Sequence, residues 1–153
     1  MEPATIKVIP FPQANDFGKV YKLITIDEEK HLRNNQYLSQ LLGITDRQIN
    51  YYLTACSFLN IIDTKRNFTE FGKHLRNVGI DMRIILICSK ITSKPVFSEA
   101  FFHYFIFSEK LKSEDIAELI VFHFGEKMEK VAIRRSSTVS NWIDWVIKQR
   151  NVI

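Results

Sequence analysis

Two stretches of this 153-residue chain share one layout, and that repetition limits the folds open to it. Residues 44–62 and 134–153 each place a polar turn before a run whose apolar side chains recur at i, i+4 and i+7. These are Ile49, Leu53 and Cys56 in the first run, and Val139, Ile143 and Val146 in the second. That period winds into a helix with one buried stripe and one stripe facing water. Each run ends on Asn and two aliphatic residues, Asn60-Ile61-Ile62 and Asn151-Val152-Ile153. The expectation is two related helical modules lying side by side.

The approach to the first run is the most legible part of the chain. Residues 36–42 have the spacing of a short helix with Tyr37, Leu38, Leu41 and Leu42 inward, and Gly43 stops it as glycine does where a helix end needs a positive φ. Thr45 is placed to cap the next helix, with Gln48 three residues on completing a capping box. The wet stripe of that helix carries Arg47, Asn50, Tyr51 and Thr54, side chains able to hydrogen-bond to nucleic acid. Tyr51 and Tyr52 are adjacent and cannot share a face; Tyr52 is assigned to the core.

Hydrophobic residues make up 46% of the chain, enough for one core or two small ones sharing an interface. No apolar run approaches the roughly 20 residues of a membrane span, residues 1–13 lack the features of a secretory signal, and the expected location is the cytoplasm. Cys56 and Cys88 fall on apolar helix faces and are expected as free thiols. The formal net charge is +4, and its distribution says more than its size. Lys130, Arg134, Arg135, Lys148 and Arg150 stand against Asp144 alone near the end of the sequence. Lys65, Arg66, Lys73 and Arg76 stand against Asp63 and Glu70 after the first run. Basic charge clustered beside a polar helix face is the footprint of a phosphate-backbone binder.

Chemistry is harder to find. His31, His74, His103 and His123 show no metal-ligand spacing, there is no Ser-His-Asp order, and the five glycines form no phosphate-cradling loop. Asp16 with Glu28 and Lys30 is a faint likeness to an acidic-plus-lysine nuclease centre, but that centre needs a strand where residues 17–26 have helical period. No cofactor, metal or catalytic site is expected.

Elsewhere, residues 1–15 hold three of the four prolines and are expected as an extended arm. Residues 16–80 form a first module, opened by a helix from Asp16 to about Glu29, and residues 81–153 form a second. A short strand over 59–62, a polar turn over 63–67 with Lys65 and Arg66 at its tip, and a returning strand over 68–71 are expected to pack on the preceding helices, since a two-stranded hairpin cannot stand alone. Thr69 then caps a further helix. The second module is helical by pattern: residues 81–90, a helix opened by Lys94-Pro95 with proline at its first position, and residues 113–124 with Ser113 as cap. Trp142 and Trp145 are expected against the Phe-rich helix. The aromatic run Phe97, Phe101, Phe102, Tyr104, Phe105 and Phe107 covers more than one helix face, and is expected as a core shared between modules or as a homodimer face.

Residues 35–75 resemble a winged helix-turn-helix. Tyr37-Leu38-Ser39-Gln40-Leu41-Leu42-Gly43 matches its positioning helix, and Thr45-Asp46-Arg47-Gln48-Ile49-Asn50-Tyr51-Tyr52 the start of its recognition helix. Leu59-Asn60-Ile61-Ile62 is similar to the Leu-Gly-Leu-Ile that leads into the wing, with Asn in place of glycine, and Phe68-Thr69-Glu70-Phe71-Gly72 to the Leu-Thr-x-x-Gly that leaves it. Lys94-Pro95-Val96-Phe97 and Arg134-Arg135-Ser136-Ser137-Thr138-Val139, with Trp142-Ile143 and Trp145, are similar to tandem winged helices of bacterial proteins, several associated with type II restriction endonucleases.

That resemblance implies a mainly α fold with a small β wing, present twice, that grips double-stranded DNA while a separate nuclease domain cuts. Arg47 is then expected to address guanine and Asn50 adenine, with Thr45 and Gln48 beside them. Tyr51 and Thr54 lie nearer phosphates, with Lys65 and Arg66 gripping the backbone from the wing. In the second module Arg134 and Arg135 are expected to precede the helix, with Ser137, Thr138 and Asn141 on its matching stripe. A small transcriptional regulator, dimerising through residues 97–107, and a winged-helix protein-interaction module are the alternatives.

Overall fold

Gly43, at φ 64° and ψ 41°, ends a helix over Asn35–Leu42 (α2), and a second over Asp46–Phe58 (α3) starts three residues later. Both capping-box bonds form at that start: the Gln48 backbone N–H donates to Thr45 Oγ1 at 3.4 Å, and the Thr45 N–H to Gln48 Oε1 at 3.1 Å. At the other end Asn34 caps α2 through the Tyr37 N–H. A computed structural model describes residues 9–150, and its secondary structure is mainly helical. Besides α2 and α3 it contains α1 (Phe17–Ile24), α4 (Glu70–Asn77), α5 (Ile80–Thr92), α6 (Phe97–Phe107), α7 (Ser113–Phe124) and α8 (Ala132–Gln149), with 3₁₀ turns at Glu29–Arg33 and Glu126–Met128.

One continuous core joins the two halves. Trp142 of α8 is fully buried, its ring centroid 5.1 Å from Phe17 in α1 and 5.0 Å from Phe97 in α6. Trp142 thus packs on the Phe-rich helix as expected, whereas Trp145 packs on α1, its ring 4.6 Å from Phe17 and 6.1 Å from Tyr21. Tyr52 is buried, and its hydroxyl oxygen accepts the Asp16 N–H. The expected arm is part of this core: Phe11, Pro12 and Ala14 are buried, Phe11 stacks on Phe97 at 5.7 Å, and the Ala14 carbonyl accepts Trp142 Nε1–H at 2.7 Å. Residues 1–8 of the arm, and the Asn151-Val152-Ile153 ending, lie outside the described residues.

Several expected boundaries move. α1 stops at Ile24, well short of Glu29. Residues 31–34, expected as a break, fall mostly within a 3₁₀ turn that buries Leu32. Pro95 precedes α6 and is not in its first turn; Val96, buried at φ 74°, forms the strained corner that starts the helix. Ser113 is the first residue of α7 and makes no side-chain cap.

The wing differs most. Among the described residues the expected strands reduce to a single antiparallel bridge, Ile62 to Phe68. The Asp63 carboxylate accepts the Lys65 and Asn67 N–H groups, each at 2.9 Å, and holds the turn tight. The helical cap follows at once: Thr69 Oγ1 accepts the Gly72 N–H at 3.0 Å, which puts Glu70 and Phe71 inside α4. Between turn and cap no length of chain remains for a returning strand.

The second copy of the repeat also takes another form. Arg134, Arg135, Ser136 and Ser137 do not precede a helix; they lie within the 18-residue α8. No glycine or proline interrupts this stretch, and its small polar side chains find partners without leaving the helix. Ser136 donates to the Ile133 carbonyl, and Thr138 to Asn15 Oδ1 at 2.6 Å. The helix of the second run accordingly starts at Ala132, ahead of Arg134 and Arg135.

Candidate nucleic-acid interface

α3 separates its two stripes cleanly. Ile49, Tyr52, Leu53 and Cys56 are buried; Arg47, Gln48 and Asn50 are exposed along with the cap Thr45, and Tyr51 and Thr54 are half-buried. The wet stripe therefore runs Arg47, Asn50, Tyr51, Thr54, at the i, i+3, i+4, i+7 spacing of one helix face.

Asn50 and Thr54 are not on a bare convex surface. With Leu53 and Ser57 they form one wall of a cleft of about 270 Å³, whose other walls are Ile62, Asp63, Thr64 and Arg66 of the turn and Ile9-Pro10 of the arm. Hydrogen bonding from the Asn67 N–H, and then from Lys65, holds the Asp63 carboxyl below the usual carboxylate range. The polar end of the cleft thus carries a fixed negative charge beside the wet stripe.

Lys65 and Arg66, expected as a pair at the turn's tip, have different positions. Lys65 is exposed. Arg66 sits at φ 63°, its guanidinium turned inward to donate to Asn35 Oδ1 at 2.7 Å and to the Leu32 carbonyl at 3.3 Å. Arg33 returns the contact, donating to Asn67 Oδ1 at 2.7 Å and to the Arg66 carbonyl. These crossed arginines clamp the turn to the start of α2. Arg33 has no sequence signal that marks it for this role. Of the other bases near the turn, Arg76 donates to the Ile24 carbonyl at 2.8 Å and lies over the Phe68 ring, and Lys73 pairs with Glu70.

From α8, Ser137 and Asn141 are exposed, Arg134 is exposed, and Arg135 is half-buried. Thr138 is not on that stripe: it is 1% exposed and occupied by Asn15. Burial first, and then the Arg134 charge, pull the Arg135 guanidinium below its ordinary value, while Tyr51 acts the other way. Arg135 Nε is buried with no hydrogen-bond partner.

One constellation escaped the spacing rules. Asp27, Glu28 and His31 bring their ligand atoms within 4.8 Å of one another, and the i, i+4 separation of Asp27 and His31 was the available signal. Asp27 is already engaged: it meets His31 Nδ1 at 2.8 Å, and accepts the Tyr37 hydroxyl at 3.0 Å and the Glu28 N–H at 2.9 Å. Asp16 sits at the opposite end of α1, about 12 Å of helix away, and Lys30 pairs with Glu28, so the acidic-plus-lysine set is not assembled. Among the described residues no helix is long and apolar enough to cross a membrane.

No curated protein and no solved structure matches the chain. A family model described as a domain of unknown function (DUF7226) matches residues 19–151, a span that takes in the wet stripe of α3, the turn and the start of α8. The chain belongs to that family.

Proposed function

We propose that this chain binds double-stranded DNA, with α2 and α3 as a helix-turn-helix and α3 as the reader. The observation that carries the proposal is the capped start of α3, which fixes its first turn and leaves Arg47, Asn50, Tyr51 and Thr54 together on one wet face. A helix fits the major groove, about 12 Å wide, where each base pair offers a distinct donor and acceptor pattern. Arg47 and Asn50, in the first turns of the reader, have the side chains for bidentate contact with guanine and adenine.

The turn over residues 63–67 takes the place of a wing, with Lys65 its phosphate contact. Arg134 and Arg135 supply a second phosphate contact from the start of α8. The module is a winged helix with the wing shortened to a clamped turn. Its resemblance in sequence to domains associated with type II restriction endonucleases makes target recognition for such an enzyme the specific form of the proposal.

Duplex-DNA binding across a salt series, for the wild type and for Arg47→Ala with Asn50→Ala, tests it. Binding that weakens steeply with salt, and sequence preference lost in the double variant, is the expected result. A wild type that binds no duplex at low salt, or a double variant that binds like the wild type, removes α3 as the reader.

A further inference from the structure

A groove of about 390 Å³ lies between α7 and the start of α8, and the DNA-binding proposal does not use it. Its apolar lining is Ala117, Val121, Ala132 and Ile133, the last 56% exposed. Its charged lining is Glu114 and Glu118 on α7, and Glu129 in the turn that leads to α8. Residues 114, 117, 118 and 121 have the i, i+3, i+4, i+7 spacing of one helix face, so the groove follows α7 for two turns, roughly 10 Å. Lys130 and Arg134 are near the α8 wall in sequence, but no lysine or arginine lines the groove.

The three carboxylates are exposed, and among the described residues none has an ion-pair partner, whereas Asp27, Glu28, Glu70, Glu99 and Asp144 each have one. The helix dipole favours Glu114, in the first turn of α7. It does not account for Glu118, which stands at i+4 from Glu114, where like charges repel, or for Glu129 on the facing wall.

We infer that this groove docks a basic amphipathic helix of a partner protein, its apolar side chains against the apolar lining and its Lys or Arg residues against the glutamates. Charge selects this occupant. Three carboxylates repel nucleic acid and anionic lipid, and a purely apolar segment would cover them without pairing them. A second copy of this chain does not supply the helix. Among the described helices the exposed large apolar residues lie on α5, α6, α7 and the first turn of α8. α6 and α7 have no lysine or arginine, and Ile133 of α8 lines the groove itself. On α5, Arg83 is turned onto the Leu75 carbonyl and Lys90 onto the Phe71 ring. The inference does not rest on the DNA-binding proposal, and its test contains no nucleic acid.

The probe is a fluorescein-labelled peptide of about 14 residues, built from leucine and lysine with the leucines on one helical face. A scrambled peptide has the same composition and no such face. Fluorescence polarisation in about 50 mM salt is expected to give a micromolar dissociation constant for the probe and one at least about tenfold higher for the scrambled peptide. Glu118→Lys plus Glu129→Lys should raise the probe's constant at least about tenfold, and Ile133→Ser, which leaves the charge alone, at least about threefold. Glu28→Lys plus Glu70→Lys makes the same change in net charge on elements that do not border the groove, and should leave the constant within about twofold. Should the groove charge variant fail to fold by circular dichroism, Glu118→Gln plus Glu129→Gln decides, with a rise of at least about threefold expected. A wild type that does not bind the probe, or binds the scrambled peptide equally, overturns the inference. So do groove variants that bind like the wild type, or an equal weakening by the two charge-reversed pairs.

Discussion

The α-carbon of Gly72 faces the carbonyl of Ile61 so closely that a methyl group added to it would stand 2.1 Å from that oxygen. Here the first turn of α4 crosses the chain leaving α3. The obstacle is backbone and cannot rotate aside. Gly72→Ala is therefore expected to destabilise the protein by roughly 1–3 kcal/mol, even though alanine is the better helix former by about 1 kcal/mol. Urea unfolding measures this. Gly79→Ala, whose methyl would meet open space, provides the comparison.

Lys65 and Arg66 are neighbours in sequence with opposite expected phenotypes. Lys65→Ala should leave the unfolding midpoint unchanged and lower the slope of log affinity against log salt by about one. Arg66→Ala removes the bonds to Asn35 and Leu32 and should cost about 1 kcal/mol of stability, with little change in that slope. Paired salt titrations and urea melts separate the two; equal salt slopes for both variants would contradict the clamp.

Thr138 is predicted to matter for folding and not for DNA. Thr138→Val keeps the volume of a buried side chain and deletes its bond to Asn15. A loss of about 1 kcal/mol is expected, with duplex affinity unchanged. Asn141→Ala, at an exposed position on the same helix, should leave stability within about 0.5 kcal/mol of wild type.

Both thiols should be inert at neutral pH. Burial pushes the Cys56 thiol up to about 12 and Cys88 up to about 11, from an ordinary 9.0. Below pH 9 folded and unfolded chains both keep these protons. Above it only the unfolded chain releases them, so stability is expected to fall as pH rises from 9 toward 12. Thiol-reagent kinetics in native buffer, repeated in urea, check the first part; native labelling at the urea rate would show the thiols exposed.

Asn60 sits in the left-handed region at φ 58°. Asn60→Val should be less stable than Asn60→Gly by about 1–2 kcal/mol, because a β-branched side chain crowds the left-handed conformation. Thermal melts of the two variants side by side measure that difference.

The parts of the fold that local chemistry decides were legible in the sequence. Gly43, Thr45 with Gln48, and Thr69 act within three or four residues of themselves, and each does in the structure what its side chain implies. The wet stripe of α3 followed from the same period that buries Ile49 and Leu53. What could not be read depended on distant partners. Thr138 looks like part of a wet stripe until Asn15, 123 residues away, takes its hydroxyl on the core side of α8. Arg66 looks like a free cation until Leu32 and Asn35 are in place around it. The arm carries prolines and no helical period, so nothing local marks Phe11 as core.

That docked arm makes the first described residues depend on the last helix. Phe11 needs Phe97 and Phe124, and Ala14 and Asn15 meet α8 through Trp142 and Thr138. During synthesis, residues 11–15 leave the ribosome long before their partners exist. α2 and α3 can form early from local contacts, but the seam that seals α1 and α3 against α6 must wait for α8. Until then Phe17 and Phe58 have no tryptophan to cover them, and a nascent chain stalled ahead of residue 142 presents an open aromatic groove to chaperones and to other nascent copies of itself.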